Sequence, residues 1–293
     1  MMATEKNTKQ APAAPKRKRP SPLLITLLII GVLIAPGLIS PLTVRRYNIQ
    51  SPRIASPVRI AMISDLHSCK YGDGQQELLQ AIESQQPDIV VLCGDIFDDK
   101  RPDDNTEAFL AGISGKYAVY YVTGNHEYWA GETVFAQKME ILSRYEITRL
   151  AGTSETITVG GTTLTIAGVD DPDTAFIDAR HGFPEELAEV RPDGQTFTVL
   201  LSHRPEHFAD YVESGFDLAL CGHAHGGQWR IPGILNGLYA PDQGLFPKYA
   251  GGQYEQDGTV MIVGRGLARE STSAPRIYNP PELVIVELSN IQE

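Results

Sequence analysis

Four short blocks of acidic, amide and imidazole side chains punctuate this 293-residue chain: Asp65-Leu66-His67, Gly94-Asp95-Ile96-Phe97-Asp98, Gly124-Asn125-His126-Glu127 and Gly222-His223-Ala224-His225. Four of the seven histidines lie inside the blocks, and a fifth, His203, stands alone between the last two. Such a mixture of nitrogen and oxygen donors suits divalent cations, and the set is large enough for two. Two cations about 3.5 to 4 Å apart need a shared anionic ligand. Asp95 is the natural bridge, because Gly94 lets the chain turn tightly and present the carboxylate outward. One cation then takes Asp65, His67 and His225, and the other Asn125, His203 and His223; ligands one residue apart in an extended turn point the same way. A donor set without thiolates suits Mn, Fe or Zn, whereas Mg and Ca prefer all-oxygen shells. Cation-bound water has a pKa of about 7, so hydrolysis requires no serine or cysteine nucleophile. Attack on phosphorus builds charge on the leaving oxygen, and His126, beside Asn125, is placed to protonate it.

The remaining polar groups of the blocks admit two readings. Glu127 and Asp98 either orient imidazoles and anchor a loop, or are surface carboxylates. A lone Asp-x-His or His-x-His is common by chance, but five such elements at strand ends are hard to explain as packing. Burying that many acids and imidazoles uncompensated would cost about several kcal/mol each. His181 and His207 have no such context and are expected to face solvent.

Elements that position these residues are legible in the hydrophobic pattern. Short apolar runs at residues 58–63, 89–93, 118–122, 197–201 and 217–221 have strand character, and each immediately precedes a candidate ligand. Amphipathic helices are expected at 75–83, 106–113, 132–144 and 206–212, and further strands at 163–169, 260–263 and 283–288. Gly160-Gly161 and Asp257-Gly258 read as hairpin turns. Alternating strands and helices define an α/β fold, with the site beyond the carboxyl ends of the strands. Residues 226–252 are too long for an idle connection, so a substrate-facing loop is expected. Its Trp229, Tyr239, Phe246, Lys248 and Tyr249 would hold an amphiphile or form the loop's own small core. Cys93 and Cys221 close apolar runs and should pack in the core. Cys69 is open between packing and a pairing or redox role.

Charge divides the chain. Residues 1–46 carry eight Lys or Arg against Glu5, a net +7, and the remainder carries −18. An acidic body argues against nucleic-acid binding, which needs clustered cations. Residues 1–22 form a basic tail expected to be disordered, and residues 23–41 an apolar segment expected to be a transmembrane signal anchor, retained in preference to a cleaved signal peptide. Residues 42–57 read as a linker and 58–289 as the folded domain. Six of the eight N-terminal cations precede the apolar run, which places the body on the extracytoplasmic side of the cell membrane.

Together, DLH, GDIFD, GNHE, the lone His203 and GHAHGGQ resemble the calcineurin-like metallophosphoesterase family over roughly residues 58–287. The resemblance implies a four-layer α/β/β/α sandwich. It implies Asp65, His67, Asp95 and His225 on one cation, Asp95, Asn125, His203 and His223 on the other, and His126 assisting the leaving group. GHAHGGQWRIPG, LYAPDQGLFPKY and RGL are similar to a bacterial membrane-associated subgroup containing phosphodiesterases and UDP-2,3-diacylglucosamine pyrophosphatase-like enzymes of lipid A synthesis. The chain departs from that subgroup at Ala268-Arg269-Glu270. The expected function is hydrolysis of a phospholipid, glycolipid or envelope phosphoester. The UDP-lipid pyrophosphatase is the competing substrate class, and a non-catalytic metal-binding interaction module the competing class of protein. The presence of both Asp95 and His126 argues against the last.

Overall fold

Strands form where β-branched and aromatic residues cluster, and they run, in chain order, β1 (Thr43–Gln50), β2 (Val58–Ile63), β3 (Ile89–Cys93), β4 (Ala118–Val122), β5 (Thr148–Arg149), β6 (Thr153–Val159), β7 (Thr162–Gly168), β8 (Phe197–Leu201), β9 (Leu218–Cys221), β10 (Tyr239–Ala240), β11 (Gly244–Leu245), β12 (Gly252–Gln256), β13 (Thr259–Val263) and β14 (Glu282–Ser289). Helices α1 (Pro22–Ile34), α2 (Gln76–Gln85), α3 (Asp104–Ile113), α4 (Asn125–Trp129), α5 (Glu132–Arg144), α6 (Phe183–Glu189) and α7 (Phe208–Ser214) intervene. This computed structural model describes residues 21–177, 182–269 and 274–291. Residues 1–20, His181 and Glu270, which figured in the expectations above, lie outside the described residues. The chain divides into two units, Met1–Pro36 and Gly37–Glu293.

The second unit contains two six-stranded mixed sheets, in the orders β1-β14-β2-β3-β4-β5 and β12-β13-β9-β8-β7-β6. Strands β2, β3, β4 and β5 are parallel in the first; β7, β8, β9 and β13 are parallel in the second. Period-two alternation sorts the side chains into layers. Ile60 and Met62, Val91 and Cys93, Val199 and Leu201, and Leu218 and Leu220 meet between the sheets. On the other face of the first sheet, Ala61, Ile63, Val90 and Leu92 pack on Leu78 and Ile82 of α2 and Phe109 and Leu110 of α3. Leu200, Ala219 and Cys221 pack on Phe183 of α6 and Phe208 and Tyr211 of α7. Helix, sheet, sheet and helix thus form four layers. All three cysteines are buried, Cys69 among the residues under α2 and α3.

Both hairpin turns fall where expected. Gly160 and Gly161 join β6 to β7 with φ of 55° and 93°, and Asp257 and Gly258 join β12 to β13 with φ of 51° and 86°. These left-handed pairs suit two-residue turns between twisted strands.

Two expectations need correction. Residues 42–57 are not a linker throughout, because β1 pairs in parallel with β14 along its whole length. As an edge strand it buries little beyond Ile49, so its sequence reads as polar. His207 is not simply solvent-facing; its ring lies 4.4 Å from that of Phe183, and its Nδ1 lies 2.8 Å from Asp210 Oδ2. In the first unit, α1 is 13 residues long with every described side chain exposed, and the Ser21 hydroxyl accepts from Leu24 N at 3.2 Å as its cap. At about 1.5 Å per residue the helix measures roughly 20 Å. It gives way to a 3-10 turn over Ala35–Leu38, since Pro36 has no N–H to continue the ladder. Among the described residues no helix is long and apolar enough to cross a membrane.

Candidate metal centre

Strands β2, β3, β4, β8 and β9 deliver Asp65, Asp95, Asn125, His203 and His223 from their carboxyl ends to one edge of the two sheets. The loops after β2 and β3 are zipped together: Asp65 N donates to Gly94 O at 3.0 Å, and His67 N to Asp95 O at 2.9 Å. Asp65, His67, Asp95, His223 and His225 all adopt positive φ, between 46° and 67°. A non-glycine residue in that region costs roughly 1–2 kcal/mol. Strain concentrated at five polar residues marks a site that the surrounding packing must hold in place.

Ligand-capable atoms of Asp65, His67, Asp95 and His225 lie within 4.8 Å of one another, as do those of Asp95, His203 and His223. Asp95 belongs to both groups. Its Oδ2 stands 3.5 Å from His67 Nε2 and 3.2 Å from His203 Nε2, while its Oδ1 accepts from His126 N at 2.9 Å. His223 Nδ1 is 3.2 Å from His203 Nε2, and His225 Nε2 is 3.8 Å from Asp65 Oδ1. Asn125 is buried on the cleft that Asp95, His223 and His225 also line. Its Oδ1 lacks a hydrogen-bond partner, as do Asp65 Oδ2, Asp95 Oδ2, both ring nitrogens of His67 and Nδ1 of His225. Buried polar atoms are otherwise almost always satisfied, so this convergence of orphans fits divalent cations. The cluster is able to bind metal.

Electrostatics within the cluster point the same way. Burial disfavours a charge on Asp95, but the His203 and His67 imidazoles overcome it and hold the carboxyl well below its ordinary range. Burial also opposes a charge on His203, yet Asp95 raises it to about 10. Burial pushes His225 down to about 3, ahead of the opposing pull of Asp65. A cation shared by Asp95 and His203 would take over the place of that proton.

Supporting groups orient these side chains. His203 Nδ1 donates to Cys93 O at 2.9 Å, which turns Nε2 toward Asp95. Glu127, fully buried, accepts from Gly124 N at 2.7 Å, Asp95 N at 3.0 Å and Phe97 N at 3.0 Å, strapping the loops after β3 and β4 together. Asp98 Oδ2 faces His67 Nδ1 at 3.3 Å, an ion-pair separation without hydrogen-bond alignment. Its Oδ1 accepts from Lys100 N and Arg101 N, which holds the turn.

Three functional neighbours escaped the sequence reading. Asp99 Oδ1 lies 2.7 Å from His126 Nδ1, so that ring is held by the second of two adjacent aspartates. The doubled Asp at the end of that block was the available signal. Asp242 reaches back from the loop after β10 to place Oδ2 2.8 Å from His223 Nε2. Arg204, beside His203, donates to Asp171 at 2.5 and 2.9 Å, pairs with Asp242, and approaches His223 Nε2 at 3.2 Å. No local pattern distinguishes Asp242. The 226–252 segment therefore does reach the site: Tyr239, Pro241 and Asp242 line a cleft of about 270 Å³ with Asp95, His126 and Trp129. Of the loop's aromatics, Tyr249 is buried in the core with Phe208, whereas Trp229, Tyr239 and Phe246 are exposed.

Gly94 makes a sharp prediction. At φ 79°, an added Cβ would sit 2.4 Å from His203 Nδ1 and 2.9 Å from Gly124 Cα. Gly94→Ala should therefore lose at least about 2 kcal/mol in denaturant unfolding, combining backbone strain with overpacking. Unchanged stability would contradict the close approach described here.

A sequence profile of the calcineurin-like phosphoesterases matches residues 58–227. An uncharacterized metallophosphoesterase of Aquifex aeolicus is 30% identical over 257 residues, covering 84% of this chain and 92% of its own. Another, of Campylobacter jejuni, is 28% identical over 280 residues, covering 91% of this chain and 68% of the relative. The chain belongs to the calcineurin-like phosphoesterase family. It is a metal-dependent phosphoester hydrolase.

Proposed function

We propose that the chain is a dinuclear phosphodiesterase in which Asp65, His67, Asp95 and His225 hold one cation and Asp95, Asn125, His203 and His223 the other. The observation that carries this reading is the membership of Asp95 in both clusters. When bound, two cations of the Mn, Fe or Zn class would supply Lewis acidity at the phosphoryl oxygens and an activated water at neutral pH.

The chain's own residues supply the rest. Asp99 occupies Nδ1 of His126, which leaves Nε2 as the ring nitrogen available to the cleft. With Nδ1 held by the Asp99 carboxylate, the ring can present an Nε2 proton to the departing oxygen. Glu127 fixes the backbone of both loops, so the ligand set is organised before substrate arrives. Arg204 and Asp242 close one wall of the cleft and steady His223.

The substrate we infer is a phosphodiester of a phospholipid, glycolipid or envelope component, met by a chain held at a membrane through its apolar N-terminal segment. Exposed Trp129 and Tyr239 on the cleft and exposed Leu245 and Phe246 beyond it offer apolar surface to an amphiphile. Every apolar side chain of α1 is likewise exposed, and six cations precede it in the chain. That asymmetry favours a catalytic unit on the extracytoplasmic side.

Two experiments test these readings. Hydrolysis of a chromogenic phosphodiester with Mn, followed by a panel of phosphomonoesters, lipid phosphodiesters and nucleotide-lipid pyrophosphates, should show preference for the diesters. A topology reporter fused to the C-terminus should signal outside the cytoplasm. Nucleotide-linked precursors are cytosolic, so a cytoplasmic signal would instead favour the UDP-lipid pyrophosphatase.

A further inference from the structure

A second concentration of charge lies on the Gly37–Glu293 unit, in a cleft that shares no lining residue with the metal centre. Arg45 of β1, Arg230 from the Trp229-Arg230-Ile231-Pro232 stretch and Arg265 of the Arg265-Gly266-Leu267 stretch line it, and its volume is about 480 Å³. Three separate segments of the chain thus bring their cations together on a unit whose net charge is −16. Gly251 marks how closely two of them approach. A Cβ added there would meet Arg265 Cγ at 3.1 Å and Arg230 Nη1 at 3.5 Å.

Beneath them lies the fully buried carboxylate of Glu282. Arg265 Nε stands 3.3 Å from it and Arg45 Nε 3.8 Å, but neither carboxylate oxygen has an aligned hydrogen bond. Arg265 Nε is itself buried and without a hydrogen-bond partner. Arg276 also faces Glu282, but its guanidinium is committed to the carbonyls of Arg265, Gly266 and Ala268. Arg230 is anchored by Gly226 O at 3.0 Å and by Asn236. One carboxylate against three lining guanidiniums leaves an excess of two positive charges. Burial lowers Arg230 to about 10, and the neighbouring Arg265 adds to the shift. Convergent guanidinium groups match the oxygens of a phosphate.

The rim of the cleft is apolar. Ile231 is 50% exposed and Ile234 84% exposed, and both line the cleft beside Pro232. Such an arrangement suits a charged head with an apolar body attached.

We propose that this cleft binds a phosphate group, free or carried by an anionic lipid. The assignment is independent of the substrate inferred for the metal centre. It is tested on the metal-loaded full chain in neutral detergent, by the rate at which phenylglyoxal modifies Arg45 and Arg230, read peptide by peptide in a mass spectrometer. Inorganic phosphate and monomeric dihexanoyl phosphatidate should each slow modification saturably, at least fivefold, while dihexanoyl phosphatidylcholine should not. Tenfold tighter protection by the phosphatidate assigns the cleft to a lipid headgroup; equal protection assigns it to phosphate alone. Protection must also survive chelation of the cations, which separates this cleft from the metal centre. In Arg45→Gln, half-exposed at the native position, the concentration that half-protects Arg230 should rise at least threefold. Absence of protection by both anions, its loss on chelation, or an unchanged value in Arg45→Gln overturns the proposal.

Discussion

Asp95→Asn should lower the turnover of a phosphodiester by at least about 10³-fold, equivalent to roughly 4 kcal/mol of transition-state stabilisation. The substitution preserves shape. An amide oxygen still accepts from His126 N, whose bond to Asp95 Oδ1 is 2.9 Å, so that loop contact should persist. What disappears is the anion common to both clusters. At Oδ2, 3.2 Å from His203 Nε2 and 3.5 Å from His67 Nε2, an amide offers either a neutral oxygen or an N–H₂ group. Elemental analysis of the purified variant should find fewer than two cations per chain, with no recovery of rate in excess Mn. Turnover equal to that of the native protein would remove the shared-carboxylate centre from the mechanism.

His126→Ala should slow turnover by about 10²- to 10⁴-fold, the usual worth of a positioned proton donor, while leaving metal content unchanged. The ring is not a member of either Asp95 cluster and is 21% exposed beside Trp129, 4.6 Å away, so its loss should leave the fold intact. A structural role and a proton-donor role are separated by the leaving group. A nitrophenolate departs without protonation, whereas an alkoxide does not, so the variant should be penalised far more on an alkyl ester than on a nitrophenyl ester. Asp99→Asn should show the same leaving-group dependence at smaller size, about tenfold, because it acts through His126 Nδ1. Equal penalties on both ester classes would show that His126 does not donate the proton.

The fold was legible where burial is two-sided. Strands β2, β3, β4 and β8 begin and end at the residues their apolar runs delimit, because a central strand packed on both faces must be apolar throughout. Edge strands β1, β6 and β12 escaped, since residues such as Arg45, Thr156 and Glu255 face solvent and leave too little periodicity. The apolar run after residue 22 shows a different limit. The apolar composition continues past Pro36, but Pro36 ends the backbone ladder and the helix α1 stops at Ile34.

Which residues meet in the candidate cluster was written in the chain itself: donor types, their one-residue spacings and their places at strand ends are local properties, and chemistry restricts what such a set can hold. The tertiary structure decided what no local pattern encodes. It selected Asp99 and not its neighbour Asp98 to hold His126, brought Asp242 from a distant loop to His223, and gathered Arg45, Arg230 and Arg265 over Glu282. The reason is physical: a ligand's donor chemistry belongs to its own side chain, whereas a supporting contact depends on the distance between chain segments that only packing brings together.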